Sequence, residues 1–317
     1  MRRMRYLIAG TGALGMFYGT RLIRAGADVV FAAPSGGDLL ASEGIRVVRA
    51  EGENEVFSGV RVIEVSRQNR GERWLFDERD WRPDVVIVTI KATGNGWLSA
   101  VKKAVGGEFP VVVTLQNGLG NEEWIRSELR SAGVGGGICF VCVNRRSTGV
   151  VEHQAHGAVS LGWFDGEGKE VCEVLRRDLK DGGVDAGSGL GILREIRWRK
   201  LMWNVPFNGL SVVEDASVDR LIGDGGVLEE VRGLMGEVRR AALAEGCDIP
   251  ASYEDDLLAA TEIAGAYYPS THLDWKAGRL VELDAIWREP LRRGCALGVA
   301  MPLLHRLVKA LEQRVIW

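Results

Sequence analysis

At 317 residues and 46% hydrophobic content, the chain has length for two domains of ~150 residues, each with its own core. A formal net charge of -3 and a pI near 5.9 exclude a global basic field for nucleic acid, so an anionic ligand needs locally placed cations. No apolar run approaches the ~20 residues that cross a bilayer, no cleavable signal is expected after the basic start Met1–Arg5, and the cytoplasm is the expected compartment.

In chain order, Tyr6–Ala9 is an apolar strand that runs straight into glycines. Ala13–Ala25 has helical spacing (Leu14, Phe17, Tyr18, Leu22, Ile23) and stops at Gly26. Val29–Ala32 is the next strand. Asp84–Ile90, Pro110–Thr114 and Gly137–Val143 are short β-branched runs, as in strands buried on both faces of a parallel sheet. The polar stretch Glu64–Pro83, with Trp74, Phe76 and Trp81, reads as a surface excursion anchored by its aromatics. Val150–Leu161 reads as a hairpin whose turn is flanked by His153 and His156, both structural. Lys180–Gly191 is glycine-rich and marks the domain boundary. Beyond it the pattern is helical: Leu193–Leu210, Val227–Gly246, Tyr253–Ala264, Leu273–Leu297 and Leu303–Val315.

Cys139 and Cys142 form C-x-x-C, a spacing that can signal a redox or metal site. They fall in a strand, where alternation sends the two sulfurs to opposite faces, so buried free thiols are expected. The histidines form no metal-ligand group, and no metal is expected.

Gly10-Thr11-Gly12-Ala13-Leu14-Gly15 is G-x-G-x-x-G placed between the first strand and the first helix, the setting that makes this pattern specific. The first glycine allows the turn, the second lets the backbone approach a pyrophosphate, and the third lets helix and strand pack closely. The helix N-terminus adds N–H groups and partial positive charge. Alternating strands and helices around this turn predict an α/β fold. Residues 1–190 form a Rossmann-like doubly wound parallel sheet, and residues 191–317 a C-terminal all-α domain. NAD-binding folds place an acid near the end of the second strand. Here that region reads Phe31-Ala32-Ala33-Pro34-Ser35-Gly36-Gly37-Asp38, without an acid at the strand end. NADP(H) is therefore favoured, with Ser35 and loop N–H groups as candidates for the 2′-phosphate. Asp38 is read as a helix cap.

In the second domain, Lys200, Asn204 and Asn208 recur at i, i+4 and i+8 among apolar neighbours, which on a helix forms one polar stripe. Buried polar groups without partners cost ~1–3 kcal/mol each, so the stripe points to a cleft with a polar ligand. Pro206 is expected to kink this helix. Further on, Pro269-Ser270 reads as a helix start, where Ser270 would cap the helix or bind a carboxylate. Glu282 is expected along the helix from Leu273; its bland alternative is a surface pair with Arg279 or Lys276.

The motifs in order are the glycine turn, Thr89-Ile90-Lys91-Ala92, Gln116-Asn117-Gly118-Leu119-Gly120-Asn121-Glu122, and Gly149-Val150-Val151-Glu152-His153. They continue with Arg199-Lys200-Leu201-x-x-Asn204-x-x-x-Asn208, then Ser270-x-x-x-Asp274 with Gly278-Arg279-x-x-Glu282-x-Asp284. Over nearly its whole length the chain resembles the ketopantoate reductase family. The resemblance implies NADPH-dependent reduction of 2-dehydropantoate to pantoate, on the way to pantothenate and coenzyme A. It implies Lys200 as general acid, Glu282 on the substrate hydroxyl or the lysine, and Asn117, Asn204, Asn208 and Ser270 on the 2-oxo acid. Gly10, Thr11, Gly12, Ala13, Leu14, Gly15, Lys91 and Asn117 would hold NADP(H), with Lys91 and Asn117 at the carboxyl ends of sheet strands. A homodimer is the candidate assembly.

The chain departs from the family at Gly209–Asp215, usually threonine-rich, and at Tyr267, where an asparagine is common. It departs again at Thr93-Gly94, where a glutamine is usual, and it lacks the basic residue after the second strand. These departures leave open a related reductase of another 2-oxo acid or an imine. A non-enzymatic NADP(H) sensor is the remaining alternative, although a sensor has no need of the lysine–asparagine stripe.

Overall fold

The computed structural model describes residues 3–50, 52–68, 71–263 and 265–317. The chain divides into two compact units, Met1–Gln116 with Asn121–Leu193, and Asn117–Gly120 with Arg194–Trp317.

Among the described residues the first unit holds every strand: β1 Arg5–Ala9, β2 Asp28–Ala33, β3 Ile45–Arg49, β4 Glu55–Phe57, β5 Arg61–Val65, β6 Glu72–Trp74, β7 Val85–Val88, β8 Val111–Thr114, β9 Gly133–Ser147, β10 Val150–Gly166 and β11 Gly191–Ile192. Its helices are α1 Ala13–Arg24, α2 Gly37–Glu43, α3 Leu98–Ala104, α4 Asn121–Trp124 and α5 Gly168–Asp181. The strands form one sheet in the order β4-β3-β10-β9-β8-β7-β1-β2-β5-β6, with β11 beside β10. From β9 to β5 every pairing is parallel. Numbered within that core, the order is 3-2-1-4-5-6, with the switch point between β1 and β7. Antiparallel partners at both ends make the sheet mixed.

Successive residues of a strand face opposite ways, and the core splits accordingly. Tyr6, Ile8, Phe31, Ile87 and Val113 pack with Phe17 and Leu22 of α1 and Leu175 of α5. Leu7, Val30, Val86 and Val112 pack with Leu98 and Val101 of α3. Both faces are covered, which is why these strands read as unbroken apolar runs.

Three expectations change. Glu64–Pro83 is more than an excursion, because it contains the end of β5 and all of β6; Trp74 and Trp81 are buried against the sheet. Val150–Leu161 is one strand, paired with β9 across the turn at Thr148-Gly149. His153 and His156 flank a bulge within β10: His156 has φ 62° and its carbonyl lies 2.7 Å from His153 Nε2. Cys139 and Cys142 lie on β9 outside any disulfide, but only half-buried.

The second unit is helical: α6 Leu193–Trp203, which begins one residue before the boundary, α7 Gly209–Val213, α8 Val218–Gly223, α9 Gly225–Ala244, α10 Ser252–Ile263, α11 Ser270–Lys276, α12 Glu289–Ala296 and α13 Pro302–Glu312. Ala264, the expected end of the third helix, lies outside the described residues. Trp198, Phe207, Leu234, Met235, Trp287 and Leu304 centre its core.

Within this unit two described helices carry π turns, Asn204–Asn208 between α6 and α7, and Asp284–Arg288 leading into α12. Pro206 therefore does not break its helix. The wider turn accommodates its missing N–H, and Trp287 Nε1 donates to the Val205 carbonyl at 3.0 Å. The expected Leu273–Leu297 helix is in fact two pieces. Gly278, at φ 63°, ends α11 as Arg279 N–H bonds back to the Asp274 carbonyl at 2.9 Å.

One buried carboxylate organises this core. Glu237 of α9, 2% exposed, accepts the Leu303 and Leu304 N–H groups at 2.9 and 2.8 Å, capping the start of α13. Glu237→Ala is expected to cost about 3 kcal/mol, since charged hydrogen bonds are lost and two donors are stranded. A urea unfolding midpoint unchanged from wild type would refute this.

Candidate active site

The glycine turn is built by close packing. Gly10 has φ 122° and donates its N–H to the Ala32 carbonyl at 3.0 Å. A Cβ there would press on Ile90 and Thr89, and one at Gly15 would overlap the Gly10 carbonyl oxygen. Thr89 Oγ1 lies 3.2 Å from both the Ala9 and Gly10 carbonyls and ties the turn to the end of β7. Gly12 differs: a Cβ there meets nothing within 4 Å. It is the N-cap of α1, in extended backbone, with no side-chain cap and no acid in the first turn. Thr11 is buried, while Ala13 and Leu14 are half-buried. The turn thus leaves bare backbone and an uncapped positive helix end facing open space, which fits a dinucleotide pyrophosphate.

At the end of β2, Asp38 is not the helix cap. Gly36 takes that position at φ 73°, and the Asp38 carboxylate pairs with Arg73 of β6. Ser35 is exposed, but the Gly37 N–H is held by Glu64 at 2.7 Å, which removes one of the loop donors expected for a phosphate. Lys91 is exposed, three residues past β7, as the N-cap of a short 3-10 turn, Ala92–Trp97. Sequence reasoning missed Gln116 as the grip on that loop: its Nε2 donates to the Ile90 carbonyl at 3.0 Å and to Asn95 Oδ1 at 2.7 Å. The available signal was a run of polar residues at the end of an apolar strand.

In the second unit, Asn117–Gly120 docks on the Asp284–Arg288 π turn. Leu119 N–H donates to the Ala285 carbonyl at 2.9 Å. Gly118, at φ 86°, has no room for a Cβ against that same carbonyl. This places Asn117 beside the stripe, with Asn204 Nδ2 donating to Asn117 Oδ1 at 3.5 Å. Asn204 and Asn208 are 2% and 3% exposed. Among the described residues the Asn208 side-chain amide makes no hydrogen bond to protein, which leaves its donors and acceptor available to a polar ligand. Lys200 is half-buried, and its Nζ lies 5.5 Å from the Trp203 ring centroid. Trp203 is fixed in turn by Thr261 Oγ1 at 2.9 Å and by Phe207, whose ring centroid is 5.2 Å away.

Glu282 is half-buried in the link ahead of the second π turn, where its carbonyl accepts the Ile286 N–H at 3.2 Å. The bland pairing partners are engaged elsewhere: Arg279 with Asp274 at 2.8 Å and Lys276 with Asp215 at 2.7 Å. Ser270 is exposed as the first residue of α11, and Pro269 holds the cap position without a side-chain bond. The structure therefore joins Asn117 to Asn204 directly, and leaves Ser270 outside that hydrogen-bonded group.

A parallel 3-2-1-4-5-6 core with a bare glycine turn, followed by a helical unit carrying a buried polar stripe, defines a Rossmann-like oxidoreductase. The ketopantoate reductase PanE/ApbA profile matches residues 6–166, and the profile for that family's C-terminal region matches residues 193–315. The chain belongs to the ketopantoate reductase family. It is 31% identical over 316 residues to a 2-dehydropantoate 2-reductase of Nostoc sp., covering 98% of this chain and 95% of the relative. The crystal structure of a 2-dehydropantoate 2-reductase from Geobacter metallireducens superposes with TM-score 0.86 at 34% identity, covering 98% and 99% of the two chains. A D-mandelate dehydrogenase solved with NADH and anilino(oxo)acetate shares the fold, with TM-score 0.82 at 22% identity and 98% coverage of each chain. Among the described residues no helix is long and apolar enough to cross a membrane.

Proposed function

We propose that this protein is an NADPH-dependent 2-dehydropantoate 2-reductase, converting ketopantoate to pantoate for pantothenate and coenzyme A synthesis. The observation that carries this reading is likeness over 98% of the chain to a named 2-dehydropantoate 2-reductase. The ion pair that neutralises Asp38 supports NADPH over NADH, because the one acid directly after β2 is engaged.

When bound, the reduced nicotinamide supplies the hydride. Lys200, as an ammonium, donates the proton to the substrate carbonyl oxygen. A compact cation aimed at that oxygen stabilises the charge that develops there more than it stabilises the ground state. Asn117, Asn204 and Asn208 orient the 2-oxo acid, and Glu282 receives the substrate hydroxyl or orients Lys200. Lys91 contacts the cofactor.

A second reading, reduction of another 2-oxo acid or an imine, is favoured by Tyr267, which stands where family members often carry an asparagine and whose ring centroid lies 6.4 Å from that of Trp203. The deciding experiment follows NADPH oxidation by purified protein with ketopantoate, a panel of other 2-oxo acids, and NADH in parallel. Turnover with ketopantoate well above the rest of the panel is expected. Tight NADPH binding without ketopantoate turnover would move the assignment to another substrate.

A further inference from the structure

We propose that Arg145, on the β9–β10 hairpin, is the cation that reads the 2′-phosphate of NADPH; the inference rests on the cofactor reading above. The residues just after β2 include no basic side chain, yet the fold brings one in from elsewhere. Arg145 Nη1 donates to the carbonyl of Thr11, in the glycine turn, at 3.4 Å. Its Nη2 donates to Thr148 Oγ1 at 3.0 Å, and its Nε to the Ser147 carbonyl at 3.3 Å. Thr148 borders the loop after β2, since a Cβ on Gly36 would lie 3.0 Å from Thr148 Cγ2. The guanidinium thus bridges the pyrophosphate turn and the loop where a doubly wound fold holds the adenosine ribose. The hairpin tip is itself anchored, with Arg46 N–H donating to the Gly149 carbonyl at 2.7 Å.

Neighbouring arginines show why this one is available. Arg73 is neutralised by Asp38, and Arg146 by Glu152. Arg145 is exposed, and among the described residues it has only neutral acceptors. Exchanging those for phosphate oxygens replaces neutral bonds with bidentate, charge-assisted ones. The loop's own donors are reduced because Glu64 holds the Gly37 N–H.

The test is equilibrium titration of wild type and Arg145→Gln with NADPH, NADH and 2′,5′-ADP, alongside thermal melts. The variant should melt like wild type and lose about tenfold or more in affinity for NADPH and 2′,5′-ADP, while NADH affinity stays within about twofold. Equal weakening of NADPH and NADH would assign Arg145 to a charge both share and overturn the proposal. A wild type that prefers NADPH, with a variant that keeps the full preference, would overturn it and leave the cofactor reading standing. A wild type that prefers NADH or binds neither would instead remove the cofactor reading, and the proposal with it.

Discussion

Lys200→Ala is expected to lower kcat by about 10²–10⁴-fold while leaving NADPH affinity within about twofold. That range is the usual worth of a positioned general acid. The position supports it: Lys200 is half-buried on α6, its ammonium near the Trp203 ring, and Trp203 is locked by Thr261 and Phe207. The glycine turn belongs to the other unit and should not feel the truncation. Steady-state kinetics and a separate NADPH titration would check both halves. A collapse of cofactor affinity, or an unchanged kcat, would remove Lys200 from the proton-donor role.

Gly12→Asp should do the reverse, leaving the apo protein as stable as wild type while raising the NADPH Kd at least about 100-fold. Open space within 4 Å leaves room for the new side chain, and the extended backbone at Gly12 suits any residue. Aspartate is also a good N-cap, so the α1 terminus gains a side-chain acceptor. The same carboxylate fills the space meant for the pyrophosphate and adds a like charge to it. Wild-type affinity in a variant of unchanged Tm would show that the turn does not hold the cofactor. Gly15 cannot serve for this test, because any side chain there collides with the Gly10 carbonyl and perturbs the fold itself.

Much of this was legible in the sequence where one physical rule acts alone. The parallel strands were visible because both faces are buried, so β1, β2, β7 and β8 have apolar runs interrupted only at a terminal residue such as Arg5, Asp28 or Thr114. The glycine turn was visible because sterics fix each position. The short strands β3 to β6 were not, because they are three to five residues long and interleave charged residues such as Arg46, Glu55, Glu64 and Arg73. Asn117 follows the carboxyl end of β8 as expected, but its segment also packs with the helical unit, a tertiary choice that local pattern does not encode. The cations near the second strand were hidden for the same reason, since Arg73 and Arg145 lie far along the chain from Ala33. The helix from Leu273 was overextended because Gly278 was read as an interior residue rather than a stop.

The π turn at Asn204–Asn208 acts as a phase setter. An α-helix advances about 100° per residue, from its 3.6 residues per turn, so one surplus residue in a wide turn rotates everything downstream by about that amount. Upstream sits Lys200; downstream sit Leu210 and Val212, both buried in the core. The lysine's azimuth and the core's azimuth are therefore separately adjustable, linked by a single loose coil. Shortening that coil by one residue while keeping Leu210 and Val212 inside would swing Lys200 about a quarter of a turn around the helix axis. The stripe of Lys200, Asn204 and Asn208 is thus a composition of two frames, and the chemistry depends on the offset between them as much as on the residues themselves.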